Sequence, residues 1–352
     1  MNEVINMTER ENYLRTMEFR NSEWIPCSVG FSPATWHKYR EKLEELLLRH
    51  PLIFKDYKKG SINFDEFPPG YREGEYYRDN WGCLWYSAQG GLEGQVVEHP
   101  LADWKALDTY KMPDTLLKSE RGERDWKKIK EDIEERKRKG LLTVGDGERL
   151  FDRLYFLRGF ENLMIDFASD APELPRLIDM LLDYEMRLVS KWLEIGVDVV
   201  GFHTDIGTQN GLMISPAKFR KYIKPMFKKI FTTCRKAGTH VSLSSDGRLL
   251  EIIDDLVECG VSIHDPQLRA NTLEGIERVY KGKICINLDL DRQMFPFCKP
   301  EDIRKQVREV VEKLNSPQGG LMIFGSVYGG DVSLENIEAL CKAMEEYCLK
   351  GK

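Results

Sequence analysis

The sequence lacks the features that mark several large classes of protein. No apolar run approaches the roughly 20 residues that cross a bilayer. The N-terminal stretch 1–21 is polar and has no apolar core of the kind found in secretory signals. Positive charge is not in excess, since the net charge is −6. We therefore expect neither a membrane protein nor a nucleic-acid binder, and the expected location is the cytoplasm.

Two further absences concern cysteine chemistry and cofactors. The eight cysteines are scattered and none forms a C-x-x-C pair, so we expect free thiols. No G-x-G-x-x-G segment follows an apolar run, which argues against a dinucleotide-binding sheet. What is present is a chain of 352 residues with the apolar content of an ordinary globular protein.

The second half of the chain alternates between short apolar runs and amphipathic stretches. Apolar residues recur at helical spacing after each run, which predicts strand–helix pairs and a parallel sheet. An earlier apolar run at residues 24–31 predicts one more strand. The later predicted strands are 141–146, 197–202, 240–244, 261–264, 284–290 and 320–326.

An open parallel sheet and a closed barrel both fit this alternation. Because the dinucleotide fingerprint is missing, we predict an α/β fold of the (β/α)8 TIM-barrel type, with residues 1–352 forming a single barrel domain. Residues of about 50 to 115 interrupt the alternation and are rich in aromatic residues and glycine. They predict an N-terminal insertion that contains a hairpin, with its turn near Gly90 and Gly91.

Polar and titratable side chains gather near the ends of the predicted strands. In a barrel of this type the carboxyl ends of the strands carry the functional groups. Asp246 has an alternative role as the N-cap of a helix that starts near Arg248. The candidates are Glu148, His203, Asp205, Gln209, His240, Asp246, His264, Gln267, Asp289, Gln293 and Tyr328.

Histidine is rare in the chain, yet three of the six histidines fall on consecutive predicted strands: His203, His240 and His264. Neighbouring strands lie about 4.8 Å apart, so three imidazoles at strand ends could meet at one point. Three neutral imidazoles suit Zn²⁺ or another first-row divalent metal. Hydrogen bonding to a substrate, or a purely structural role, is the alternative.

Four segments of the chain resemble the uroporphyrinogen decarboxylase superfamily: residues 148–166, 204–225, 240–267 and 333–340. In addition, "DNWGCLW" at 79–85 with residues 99–114 is similar to the methyltransferase-like branch. That superfamily contains decarboxylases and cobamide-dependent methyltransferases, all on a (β/α)8 barrel. The resemblance covers nearly the whole chain, and it implies that fold and a homodimer.

The sequence departs from the superfamily at two sites. Its methyltransferases hold zinc with a His-x-Cys pair and a later cysteine, whereas this chain has His240 with Ser242, and no cysteine on the last predicted strand. Serine is a poor zinc ligand, so the three histidines become a candidate replacement site. Its decarboxylases bind a tetrapyrrole polycarboxylate through N-terminal arginines, which the segment "SVGFSPATWHKYRE" does not reproduce.

The resemblance favours an enzyme that transfers a methyl group between a small methylated substrate and a corrinoid carried by a partner protein. Asp205 lies near an acidic motif of the superfamily and, with His240 or a histidine-bound metal, would act on the departing atom. Tyr328 is the third catalytic candidate. The expected substrate-binding residues are Glu148, Gln209, Asp246, Gln267, Asp289 and Gln293.

Two other functions remain open at the level of sequence. In a decarboxylase, Asp205 and Tyr328 would protonate or stabilise a carbanion. In a non-catalytic barrel, the same face would bind a corrinoid or another ligand and deliver it to a partner.

Overall fold

A computed structural model describes residues 7–119 and 122–350 of the chain. These residues group into two compact units, each built from several stretches of sequence. The first unit comprises the residues up to Leu14, Arg78–Leu84 and Val96–Pro266. The second comprises Arg15–Tyr77, Trp85–Gln95 and the residues from Gln267 onward.

Parallel strands form the centre of each unit. They are β1 (Cys27–Phe31), β2 (Val144–Asp146), β3 (Val199–His203), β4 (His240–Ser244), β5 (Ile263–His264), β6 (Cys285–Asp289) and β7 (Leu321–Val327). In the first unit the strands lie in the order β5-β4-β3-β2, with parallel pairing throughout. In the second unit β7 pairs in parallel with both β1 and β6. This parallel strand–helix architecture is that of a (β/α)8 barrel, as predicted.

Helices follow most of the strands. Among the described residues, no helix is both long enough and apolar enough to cross a membrane. A 3-10 turn lies at Trp104–Asp108 and a π-helical segment at Phe219–Ile223. The α-helices are Glu9–Met17, Pro33–Arg49, Trp126–Arg138, Leu150–Arg158, Phe160–Ser169, Leu174–Ile195, Pro216–Lys218, Lys224–Lys236, Ile253–Cys259, Leu268–Asn271, Leu273–Tyr280, Pro300–Leu314 and Leu334–Tyr347.

Helix Leu174–Ile195 illustrates how the sequence pattern becomes packing. Its buried leucines, among them Leu177, Leu181 and Leu188, recur at multiples of a helical turn and therefore share one face. Burying a leucine side chain stabilises the fold by about 1.5–3 kcal/mol. Gly196 ends the helix in the left-handed conformation, with φ of 79°, which glycine adopts without a Cβ clash.

The aromatic-rich region carries three short strands, Tyr76–Arg78, Leu84–Tyr86 and Gln95–Glu98. Gly90 and Gly91 lie between the second and third of these, where the sequence predicts the hairpin turn. In the second unit, the Trp36 ring stacks on Tyr57 and Phe64, with centroid distances of 5.8 and 6.2 Å. All eight cysteines are free thiols, as predicted.

Candidate active site

Two aspartates meet where β3 of the first unit ends. Asp152 lies in the first turn of helix Leu150–Arg158, and Asp205 follows the last residue of β3 by two positions. The Oδ1 atom of Asp152 accepts a hydrogen bond from the backbone N–H of Asp205, at 2.8 Å. Asp152 is 6% exposed and Asp205 is half-buried, so the pair lies at the boundary between core and surface.

The surroundings of Asp152 favour the protonated form of its carboxyl group. Burial is the largest cause, and with the negative charge of Asp205 it raises the pKa of Asp152 to about 8. The backbone N–H of Asp205, the Tyr155 hydroxyl and the charge of Arg149 act in the opposite direction. A carboxyl group with a pKa near the working pH can give a proton to a substrate atom and regain it afterwards.

Tyr155 lies one turn beyond Asp152 on the same helix, and its hydroxyl is hydrogen-bonded to the Asp152 carboxyl group. Burial, followed by the charge of Asp152, raises the pKa of Tyr155 well above its usual range. The phenol therefore keeps its proton and remains a hydrogen-bond donor. It is placed to stabilise the carboxylate that Asp152 becomes after losing a proton.

Hydrogen bonds from backbone N–H groups to side-chain oxygens connect the loop after β3 with the loop after β4. The Oδ1 atom of Asp205 accepts from the backbone N–H of Asp246 at 2.9 Å. The Ile206 N–H donates to the Ser245 hydroxyl at 3.1 Å. Asp265, which follows β5, accepts in turn from the Ser245 N–H at 2.9 Å. The carboxylate of Asp205 is thus held in place from the neighbouring strand.

The same two loops touch through their backbones at Gly207 and Gly247. A Cβ atom on Gly247 would lie 2.3 Å from the carbonyl carbon of Gly207, and Gly247 has a φ of 91°. A Cβ atom on Gly207 would lie 2.9 Å from the backbone nitrogen of Arg248. Both distances are shorter than real contacts allow, so each position requires glycine.

The three histidines predicted as a metal site do not share one level of the sheet. His203 ends β3 and is in register with Ser244, whereas His240 begins β4 and is in register with Val199. These two levels are four residues apart, which is about 13 Å along a strand. His264 is in register with Leu243. The prediction that His240 lies at a carboxyl end is therefore wrong. The whole length of β4 separates it from Asp246, which follows the carboxyl end of that strand.

The chemistry around these histidines does not suit a metal ion either. The Nδ1 atom of His240 lies 2.9 Å from a guanidinium nitrogen of Arg235, so a cation already adjoins it. His264 is 1% exposed, so its ring is enclosed in the core. Across residues 7–119 and 122–350, no group of three or more His, Cys, Asp or Glu is arranged to hold a metal ion. The residues present do not fit the predicted zinc site.

Glu148, predicted to bind substrate, is part of a buried ionic cluster. Its Oε1 atom lies 2.9 Å from Nη2 of Arg153, whose side chain is fully buried. Arg153 also lies 3.4 Å from a carboxylate oxygen of Asp79 and over the ring of Trp81. Glu185 accepts a hydrogen bond from the Glu148 N–H at 3.0 Å. These contacts give Glu148 a structural role.

Two more predicted residues of the first unit lie on the loops beside Asp205. Gln209 is exposed in the turn after β3. Asp246 is half-buried and contacts Asp205 through its backbone N–H. The next helix begins only at Ile253, so the alternative prediction that Asp246 caps a helix near Arg248 is wrong.

The other predicted residues belong to the second unit. Gln267 and Asp289 are buried and pair as a single parallel bridge. Tyr328 follows β7 and is 54% exposed. Gln293 is exposed and lines a cavity of about 710 Å³, whose wall includes the Arg269–Asp291 ion pair at 2.8 Å.

The family model named uroporphyrinogen decarboxylase (URO-D) matches residues 151–347, more than half of the chain. The matched stretch contains Asp152, Tyr155 and Asp205. The chain belongs to the uroporphyrinogen decarboxylase family. The resemblance seen in the sequence is thereby confirmed. Membership in this family does not by itself identify the substrate. No curated protein matches the sequence significantly.

This member of the uroporphyrinogen decarboxylase family shares its fold with a methyltransferase from Methanosarcina mazei. The TM-score is 0.66 at 17% identity, and the alignment covers 97% of this chain and 99% of that chain. Identity this low shows the fold alone. A D-psicose 3-epimerase with D-tagatose from Clostridium cellulolyticum H10 has a TM-score of 0.37 at 10% identity, covering 64% of this chain and 83% of that chain. That weaker likeness supports no functional conclusion.

Two residues of this site are not found by inspecting strand ends, because they lie on a helix. Asp152 and Tyr155 are three positions apart in "FDRLY" and so share one helix face. The available signal was their position in the segment 148–166, which carries the family resemblance.

Proposed function

We propose that this protein is an enzyme that transfers a methyl group between a small methylated compound and a corrinoid held by a partner protein. The observation that carries the proposal is the buried carboxyl group of Asp152, held against Asp205 beside the end of β3, where its pKa is raised to about 8. The nearly full-length likeness in fold to a methyltransferase is compatible with this activity.

Demethylation of such a compound needs a proton at the departing atom. As the bond between the methyl carbon and oxygen, nitrogen or sulfur breaks, its electron pair stays on that heteroatom. A general acid that protonates this atom lowers the barrier, typically by a factor of about 10² to 10⁴ in rate. The reduced corrinoid supplies the nucleophile that accepts the methyl group.

The residues of this chain have separate tasks in that reaction. Asp152 donates its proton to the departing atom. The carboxylate that results is stabilised by the backbone N–H of Asp205 and the hydroxyl of Tyr155. Asp205 keeps its position because the Asp246 N–H binds its Oδ1 atom. No step is assigned to a metal, since the histidines are not arranged for one.

Two exposed polar residues lie close to Asp205 in the sequence. His203, the last residue of β3, and Gln209, four positions after Asp205, are both exposed. Because they are already exposed, they can form hydrogen bonds to a substrate or to a partner protein without a rearrangement of the loop.

Decarboxylation is the second candidate, and the match to the uroporphyrinogen decarboxylase model favours it. After loss of CO₂ the substrate carbon carries the electron pair, and the same Asp152 proton would neutralise it. The two reactions thus use one acid and differ in the atom that receives its proton.

Product analysis separates the two. The purified protein is incubated with chemically reduced cobalamin and, in turn, a methoxylated aromatic compound, a methylamine and methyltetrahydrofolate. We expect methylcobalamin and the demethylated product from at least one of them, and slower formation with Asp152→Asn. Asp179→Asn, on the exposed face of helix Leu174–Ile195, is the matched control. Release of CO₂ from a carboxylated substrate, with no methyl transfer in any mixture, would overturn the proposal.

A further inference from the structure

The helix that carries Asp152 begins without a cap of its own. The first N–H groups of any helix have no partner within that helix and must bind elsewhere. In helix Leu150–Arg158 the N-cap residue is Arg149, and its side chain accepts no hydrogen bond from the first turn. The first turn of this helix therefore depends on a group from another part of the fold.

Thr204, the residue between His203 and Asp205, supplies that group. Its hydroxyl oxygen accepts from the backbone N–H of Phe151 at 2.7 Å and from that of Asp152 at 3.1 Å. Thr204 is 1% exposed, so these bonds are shielded from water. A side chain from the residue that follows β3 thus performs the task that an N-cap residue usually performs locally.

The position of Thr204 is itself fixed by the neighbouring strand. Its backbone N–H donates to the carbonyl oxygen of Ser244 at 2.9 Å. The next residue, Asp205, donates its own N–H to the Asp152 carboxyl group. Two consecutive residues therefore form hydrogen bonds with the same helical turn. Thr204 binds the backbone N–H of Asp152, and Asp205 binds the Asp152 side chain.

We propose that Thr204 is a positioning residue for Asp152: its hydroxyl holds the first turn of the helix so that the Asp152 carboxyl group stays buried against Asp205. The inference rests on the proposed role of Asp152 as the proton donor. Thr204 itself touches neither substrate nor the reacting atoms.

The test is a titration of Asp152 that needs no substrate. The protein is labelled with [¹³C]carboxyl aspartate, and the Asp152 signal, assigned by its loss in Asp152→Asn, is followed with pH. In Thr204→Val, which keeps the shape but removes the hydroxyl, we expect the pKa of Asp152 to fall by at least about one unit, since the loosened turn admits water. Thr204→Ser should restore the wild-type titration.

The control is Thr233→Val, which removes a hydroxyl bonded to the Lys229 carbonyl in helix Lys224–Lys236. It should leave the Asp152 titration unchanged. If Thr204→Val titrates like the wild type, Thr204 has only a structural role and the inference is wrong.

Two further measurements keep the inference testable if Thr204→Val does not fold. In the wild-type protein the amides of Phe151 and Asp152 should exchange slowly with solvent, although first-turn amides of a helix are usually unprotected. Fast exchange at both would overturn it. Where methyl transfer is measurable, a pKa lower by one unit reduces the protonated fraction of Asp152 at pH 8 about fivefold, and the rate should fall in proportion. If Thr204→Val lowers the pKa of Asp152 as expected but the wild type transfers no methyl group, the result would count against the proposed function and not against the role of Thr204.

Discussion

The Oδ1 atom of Asp152 lies 2.8 Å from the backbone nitrogen of Asp205, so two acidic residues from different elements share one small space. The contact uses the main chain of one aspartate and the side chain of the other. It therefore persists whether Asp152 is charged or neutral. The negative charge of Asp205, together with burial, then decides which of these states prevails.

Activity should depend on the protonated form of Asp152. Its pKa is raised to about 8, so the rate should decline as the pH rises through that value. Asp152→Asn should lower kcat by a factor of about 10² to 10⁴, the usual contribution of a general acid. The measurement is a pH profile of kcat for the wild type and for Asp152→Asn, with Asp179→Asn as the control.

Asp205→Asn should move the alkaline limb of that profile to lower pH. The substitution removes the like charge that helps to raise the pKa of Asp152, while burial still keeps this pKa above its ordinary value of 3.8. An alkaline limb that stays in place in Asp205→Asn would contradict this electrostatic coupling.

Stability should depend on pH through Glu185. This residue is fully buried, and burial with the charge of Glu148 raises its pKa from 4.5 to about 8. Between these values the unfolded chain releases the proton that the folded chain keeps, so the free energy of unfolding falls as pH rises and levels off above pH 8. The glutamine in Glu185→Gln cannot ionise. Over this pH range the free energy of unfolding of Glu185→Gln, relative to that of the wild type, should therefore rise by up to about 1.4 kcal/mol per pH unit.

Urea unfolding of both proteins at pH 5, 6, 7 and 8 measures this difference. Parallel stabilities across the range would mean that Glu185 is ionised in the folded state.

Loss of the buried guanidinium of Arg153 should be strongly destabilising. Arg153→Met leaves the carboxylates of Glu148 and Asp79 without their common cation, and breaking a buried pair in this way costs about 3–5 kcal/mol. Arg304→Met is the control, because Arg304 pairs with Glu346 on the surface and its removal should hardly matter. Equal losses in both variants, measured by chemical denaturation, would contradict this account.

Zinc should not bind with measurable stoichiometry at the histidines. His240 adjoins Arg235 and begins its strand, while His203 ends the neighbouring one. We expect metal analysis of the purified protein to find no stoichiometric zinc, and the melting temperature to be unaffected by a chelator. Zinc that is present in the wild type and lost in both His203→Ala and His264→Ala would overturn this.

The fold could be predicted because every later strand is short, apolar and followed by a helix. The site was predicted only in part, since Asp205 follows a strand but Asp152 reaches it from a helix. The error at His240 has a simple cause: His240 is the first residue of the predicted strand 240–244, so the carboxyl end of that strand lies at Ser244. The pairing of His240 with Val199, the first residue of β3, agrees with this position.

Neither Gly207 nor Gly247 leaves room for a side chain. A sequence change at either glycine therefore affects both the loop after β3 and the loop after β4. A mutation at either glycine displaces both loops, and with them the N–H groups that hold Asp205 and Asp152. We therefore expect selection to act on the two loops together. Among descendants of this gene, the two glycines should persist together or disappear together.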